Sequence, residues 1–196
     1  MKTKRLPKHL TESEVDSLIK AADGKSDESA RDRAFLEFCY ATGCRISEVT
    51  NLRVSNVDWK DGTVKLLGKG NRERIVPLTK EALLWCAKYK NIRHEWVRLF
   101  DLKDTETFFL SRLGKGLTRQ GAWKLLKRYA EKAGIKRRVW PHMIRHSVAT
   151  HILRGGADLR VVQELMGHKS ITTTEIYTHL DIENLKTMQN KFHPRN

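Results

Sequence analysis

The side chains able to do chemistry in this 196-residue chain fall into four short stretches. In Pro141-His142-Met143-Ile144-Arg145-His146 an imidazole and a guanidinium stand three residues apart, which on a helix puts both on one face. A guanidinium grips two phosphate oxygens in a planar fork and an imidazole passes a proton near neutral pH, so the pair suits an anionic oxygen. The same residues also fit a structural role, with Arg145 in an ion pair and His142 as a cap. A zinc helix through His142 and His146 is excluded. That pattern needs a glutamate where Met143 stands, and Arg145 would repel the cation. Further on, His168 follows Gly167 at a helix end, where positive charge is favoured, and Tyr177 comes nine residues later in Thr172-Thr173-Thr174-Glu175-Ile176-Tyr177-Thr178-His179. A surface histidine and a packed core tyrosine would read alike at these positions. Lys69 stands between two glycines and fits a solvated hairpin tip as well as a reactive amine; Arg45 follows Gly43-Cys44.

The elements that must carry these residues can be read from local signals. Thr11, with Glu14 as its capping-box partner and Leu10 stapled to Val15, starts a helix that runs to about Ala22. A second helix is expected from about Ser29, burying Ala34, Phe35, Phe38, Cys39 and Ala41 and stopping at Gly43. A short helix resumes through Ile46, Val49 and Leu52, so Arg45 lies at the turn between two packed helices. From Arg53 to Pro77 the period changes to two, and the turn signals Asp61-Gly62 and Gly68-Lys69-Gly70-Asn71 separate three short antiparallel strands. Thr79 caps a helix through about Arg93, and Thr118 caps another, closed by Gly134. Pro141 opens the helix of His142 and Arg145, which ends at Gly155-Gly156. Further helices are expected over Asp158 to Met166, Ile171 to His179 and Ile182 to Asn190. The fold class is therefore mainly α with a small three-stranded antiparallel sheet (α+β), in one domain without internal repeats.

Charge narrows the partner. With 38 Lys and Arg against 23 Asp and Glu, the formal charge is +15. This points to a polyanion, and to nucleic acid rather than a membrane surface, because no single amphipathic basic helix stands out. Thr11 to Tyr40 is acidic, with eight acids against four bases, whereas Thr107 to Ala157 has twelve bases against one acid and reads as the phosphate-facing side. Arg72, Arg112, Arg119, Lys124 and Arg138 are the candidate DNA-binding bases. The longest apolar run has six residues, Ala82 to Ala87, so neither a membrane span nor a secretory route is expected. Three cysteines with no C-x-x-C pair suggest neither a disulfide framework nor a zinc site and fit a reducing cytosol.

Taken together, ATGCRISEV around Arg45, GKGNRER around Lys69, PHMIRHSVAT around His142 and Arg145, and LMGHKSITTTEIYTH around His168 and Tyr177 occur in this order. In that combination the chain closely resembles the tyrosine recombinases, the phage-integrase and Xer family, from about Leu6 to Arg195. The ending Lys191-Phe192-His193-Pro194-Arg195 is similar to that of Xer recombinases, which resolve chromosome dimers. The resemblance implies that Arg45 and Arg145 are the catalytic arginines, Lys69 the catalytic lysine, His142 and His168 the catalytic histidines and Tyr177 the nucleophile, with Glu48 as a support.

It further implies a site-specific DNA recombinase that needs no metal, cofactor or ATP. A phosphodiester attacked by a phenol builds charge on its non-bridging oxygens, which two arginines and His168 can stabilise. Tyrosine's ordinary pKa is roughly 10, so His142 is a candidate base, and Lys69 can protonate the leaving 5′ oxygen. The 3′-phosphotyrosyl bond conserves the energy needed to rejoin strands, in DNA integration or in chromosome or plasmid dimer resolution. A non-catalytic DNA-binding module of the same fold and a type IB topoisomerase-like relaxing enzyme are the alternatives. Family members usually carry a helical core-binding domain ahead of the catalytic one. The expectation here is a single catalytic domain over 1–196, with 1–9 a linker remnant and the core-binding domain absent, in a catalytic fragment or a short natural recombinase. Expected partners are double-stranded DNA, other protomers in a homo- or hetero-tetramer joined through the last helix with Leu185 and Met188, and a DNA translocase. The expected location is the cytoplasm, at the nucleoid.

Overall fold

Residues 9–68, 73–102, 106–167 and 179–195 are described by the computed structural model of the chain. Helix α1 (Glu12–Lys20) begins with the expected capping box: the Thr11 hydroxyl accepts from the Glu14 N–H at 3.1 Å and the Glu14 carboxylate accepts from the Thr11 N–H at 2.8 Å. Val15, Leu18 and Ile19 form its buried face. Helix α2 (Asp27–Thr42) starts two residues earlier than expected, at the Ser26 cap, and ends at Gly43 in the left-handed conformation.

The expectation for α2 was a single apolar face. Instead every residue from Ala30 to Thr42 is buried, because α2 runs through the middle of the molecule with other helices packed around it. The charged residues of that span, Arg31, Asp32, Arg33 and Glu37, are consequently internal and paired. Asp32 holds Arg31 at 2.6 Å, also holds Arg128, and accepts from the Tyr129 hydroxyl at 2.8 Å; Glu37 holds Arg33 at 3.0 Å and also Arg195. Buried charges are tolerated only in such pairs. Part of the acidic Thr11–Tyr40 stretch is thus interior, and Arg128 and Arg137, paired with Asp32 and Glu14, answer it from within the basic stretch.

Helix α3 (Ile46–Thr50) follows at once, and a 3₁₀ turn over Val54–Asn56 leads into the sheet. Strands β1 (Val57–Asp58), β2 (Thr63–Leu67) and β3 (Glu73–Pro77) pair antiparallel in the order β1-β2-β3. In the β2–β3 register Leu67 faces Glu73 and Leu66 faces Arg74. The first strand is shorter than the period-two pattern suggested, since Val54 belongs to the 3₁₀ turn. Helix α4 (Lys80–Leu99) continues past the expected end at Arg93 as far as Leu99: no Gly or Pro interrupts it, and Trp96 is buried. Phe108, Phe109 and Leu110 then cross the core fully buried, with Tyr89 stacked on Phe109 at 5.6 Å.

Helices α5 (Arg119–Lys132), α6 (Pro141–Arg154) and α7 (Leu159–Met166) have the expected Thr118 and Gly167 caps and Pro141 in the first turn of α6, and Asp158, expected inside α7, is instead its N-cap. The helix expected over Ile171 to His179 lies outside the described residues apart from His179. The last helix, α8 (His179–Phe192), packs on α6, α7 and β3 of its own chain, burying Leu185 and Gln189. Beyond it His193 approaches the Tyr40 carbonyl through Nε2 at 3.1 Å. Mainly helical, with one small antiparallel sheet, this is the architecture expected from the sequence.

Candidate active site

The start of α3 and strand β3 meet at one buried carboxylate. Glu48, on α3, is 3% exposed and takes four donors: the Arg45 backbone N–H at 2.7 Å, Arg45 Nη1 at 3.0 Å, Arg74 Nη1 at 2.7 Å and Arg74 Nη2 at 2.7 Å. The Glu48–Arg45 backbone contact is the capping interaction that starts α3, so a local folding signal and the site share one side chain. Burial works against the charge on Glu48, but the Arg74 fork and the Arg45 contacts prevail and hold its carboxyl below the usual carboxylate range.

Arg145 reaches this cluster from the middle of α6. Its Nη1 donates to the Gly43 carbonyl at 2.7 Å and its Nη2 to the Met166 carbonyl, which ties α6 to the C-terminal ends of α2 and α7. Burial, and then the charges of Arg45 and Arg74, push its pKa down to about 10, which still leaves it charged at neutral pH. The backbone favours glycine at position 43, where φ is +55°, and a Cβ would lie 2.9 Å from the Met166 sulfur.

The result is three guanidiniums around one carboxylate, two of them bonded to it and the third, Arg145, close enough to feel its charge. Among the described residues, the Arg45 side chain pairs only with Glu48, through Nη1, and is 40% exposed. A guanidinium has five N–H donors, so both Arg45 and Arg145 keep donors for an anion. His142 is exposed in the first turn of α6, one turn before Arg145, while the His146 ring meets His9 at 5.9 Å. The structure therefore brings Arg45, Glu48 and Arg145 together and puts His142 on the element that carries Arg145. Lys69, Arg72, His168 and Tyr177 lie outside the described residues. The paired residues Leu67 and Glu73 stand on either side of the stretch that holds Lys69, and α7 ends at Met166, two residues before His168.

Arg74 was not anticipated. The available signal was strand alternation, because an arginine on the inward face of β3, in phase with Val76, needs a buried partner. Of the remaining bases, Arg119 and Lys124 are exposed on α5, and Arg138 stacks over Trp123 with its guanidinium carbon 5.3 Å from the ring centre. Arg112 is exposed and bonded to Glu28 at 3.1 Å. No group of three or more His, Cys, Asp or Glu side chains among the described residues is arranged to hold a metal ion, and no helix among them is long and apolar enough to cross a membrane.

Comparison with known proteins points the same way as the site. A family model described as the phage integrase family matches residues 8–184. The tyrosine recombinase XerD of Yersinia pestis is 44% identical over 192 residues, covering 97% of this chain and 64% of that protein. XerD of Staphylococcus epidermidis is 45% identical over 194 residues, covering 98% and 64%. The chain thus spans a little under two thirds of the length of these relatives. Among solved structures, the XerA recombinase superposes with a TM-score of 0.74 at 31% identity, covering 97% of this chain and 67% of that one. The XerH site-specific recombinase, bound to its difH substrate before cleavage, gives 0.73 at 28% identity, covering 95% and 55%.

Proposed function

Since the chain belongs to the phage integrase family of tyrosine recombinases, we propose that it is the catalytic part of a site-specific DNA recombinase that cuts and rejoins strands through a 3′-phosphotyrosyl bond on Tyr177. The observation that carries this reading is the excess of guanidinium over carboxylate around Glu48. A buried cluster with more cations than anions is costly unless an anion joins it, and a phosphodiester at the moment of attack is such an anion.

In this reading Arg45 and Arg145 bind the non-bridging oxygens together with His168. His142 takes the phenolic proton of Tyr177, and Lys69 protonates the leaving 5′ oxygen. Because the phosphotyrosyl bond keeps the energy of the phosphodiester, attack by a second 5′ hydroxyl reverses the step without ATP. The partner is double-stranded DNA, gripped by Arg72, Arg119, Lys124, Arg138 and the exposed part of Arg112. The assembly is a tetramer of like or unlike protomers joined through α8, served by a DNA translocase, at the nucleoid in the cytoplasm. The reaction acts in dimer resolution or in integration.

The test is incubation with nicked suicide DNA carrying the recombination site of such a relative. A covalent protein–DNA adduct that disappears in Tyr177→Phe is expected. DNA binding without any adduct would overturn the reading in favour of a non-catalytic DNA-binding module. Crosslinking on DNA that yields only monomers would remove the tetramer.

A further inference from the structure

Arg45 and Arg145 have an obvious use once a phosphate arrives; Arg74 does not. It is 6% exposed, and its contacts are internal: both terminal nitrogens on Glu48 at 2.7 Å and Nε on the Leu165 carbonyl at 3.2 Å. Gly167 leaves the room it needs, since a Cβ there would sit 2.9 Å from Arg74 Cδ. Two arginines thus hold consecutive carbonyls of the last turn of α7, Arg74 that of Leu165 and Arg145 that of Met166. One of them also holds the carboxylate to which Arg45 is bonded.

The geometry points to Arg74 as a positioning residue for the proposed cleavage. It engages both oxygens of Glu48, so that the Arg45 side chain makes a single, longer bond of 3.0 Å to that carboxylate and not a bidentate one. Glu48 without Arg74 would be a buried carboxylate with Arg45 as its nearest guanidinium. A bidentate Arg45–Glu48 pair would form and would turn the Arg45 guanidinium towards Glu48 and away from the phosphate. Lysine cannot replace Arg74, because one ammonium on a flexible stem cannot span two carboxylate oxygens and the Leu165 carbonyl at fixed angles.

This inference rests on the cleavage reading above, and its test is built to separate the two. Wild type, Arg74→Lys and Arg74→Gln are compared for DNA affinity and for single-turnover adduct formation on the same suicide DNA, at low temperature, with the folded fraction read by circular dichroism. A fold defect lowers the amount of adduct in step with the folded fraction and leaves its rate constant alone. A positioning defect lowers the rate constant itself. The expectation is a rate constant at least about 10-fold lower in both variants, with affinity within about 3-fold of wild type. Wild-type rate constants in both variants, with adduct tracking folded fraction, would overturn the role of Arg74 alone. Absence of adduct in wild type would overturn the cleavage reading and the inference with it.

Discussion

Two buried carboxylates in this molecule are surrounded by arginines, and they differ in what the arginines are for. Glu37, at the middle of α2, is fully buried and bonds Arg33 and Arg195; Arg33 also pairs with Asp23, and Arg195 with Asp16 at 3.0 Å. There each guanidinium has a second acid, and the network closes α1, α2 and the C-terminal tail onto one another. Glu48 is equally buried but has three guanidiniums around it and no second acid among their described contacts. The first arrangement is electrostatically complete. The second has two more cations than anions and keeps Arg45 partly at the surface, where an anion can meet it. Density of buried charge is therefore a poor marker of a functional site, whereas an imbalance of charge beside an exposed donor is an informative one.

Substitutions at the two carboxylate clusters should separate accordingly. The largest effect belongs to Arg145→Ala. Loss of the buried donor at the developing charge should slow single-turnover cleavage on the order of 10³-fold, with DNA affinity much less affected. Cleavage within a few-fold of wild type would mean that Arg145 only ties α6 to α2 and α7. Glu37→Gln comes next. Removing the charge leaves Arg33 and Arg195 undercompensated in the interior and should destabilise the fold by about 3 kcal/mol in urea denaturation, while the cleavage rate constant per folded molecule stays unchanged. A slowed rate constant would erase the contrast between the clusters.

The smallest effect concerns the rim of the first cluster. His193, buried beside Tyr40 and Arg195, has its pKa pushed down to about 4, and His9 and His151 are shifted in the same direction, in each case by burial first. Between the ordinary histidine value of 6.5 and about 4 the unfolded chain binds the His193 proton and the folded chain does not. Stability should therefore be full above about pH 6.5 and decline as pH falls towards 4. Thermal midpoints over that window should show the slope, and His193→Gln should flatten it. An unchanged slope in His193→Gln would assign the pH dependence to other groups.

Much of the fold was legible because its signals are local. The Thr11–Glu14 box, the glycine caps at Gly43 and Gly167, Pro141 at the start of α6 and the two turn signals of the sheet each operate within a few residues, so the sequence contains the whole interaction. The end of α4 was misread for the complementary reason: nothing local stops that helix at Arg93, and the burial of Trp96 that continues it depends on distant chain. The places of Arg45 at the turn before α3 and of His142 and Arg145 together on α6 were legible from caps and spacing.

By itself the sequence determined the element order, the caps, the net charge and the family, all of which follow from residue types and short spacings. Only the tertiary structure decided which charges cancel. Arg74 meets Glu48 across 26 residues, Arg145 meets Gly43 across 102, and Arg195 meets Glu37 across 158. Whether an arginine is a surface base, a structural tie or a donor held ready for phosphate depends on what lies within about 3 Å of it, where a charge pair in a low-dielectric interior far outweighs one in water. That proximity exists only after the chain has folded.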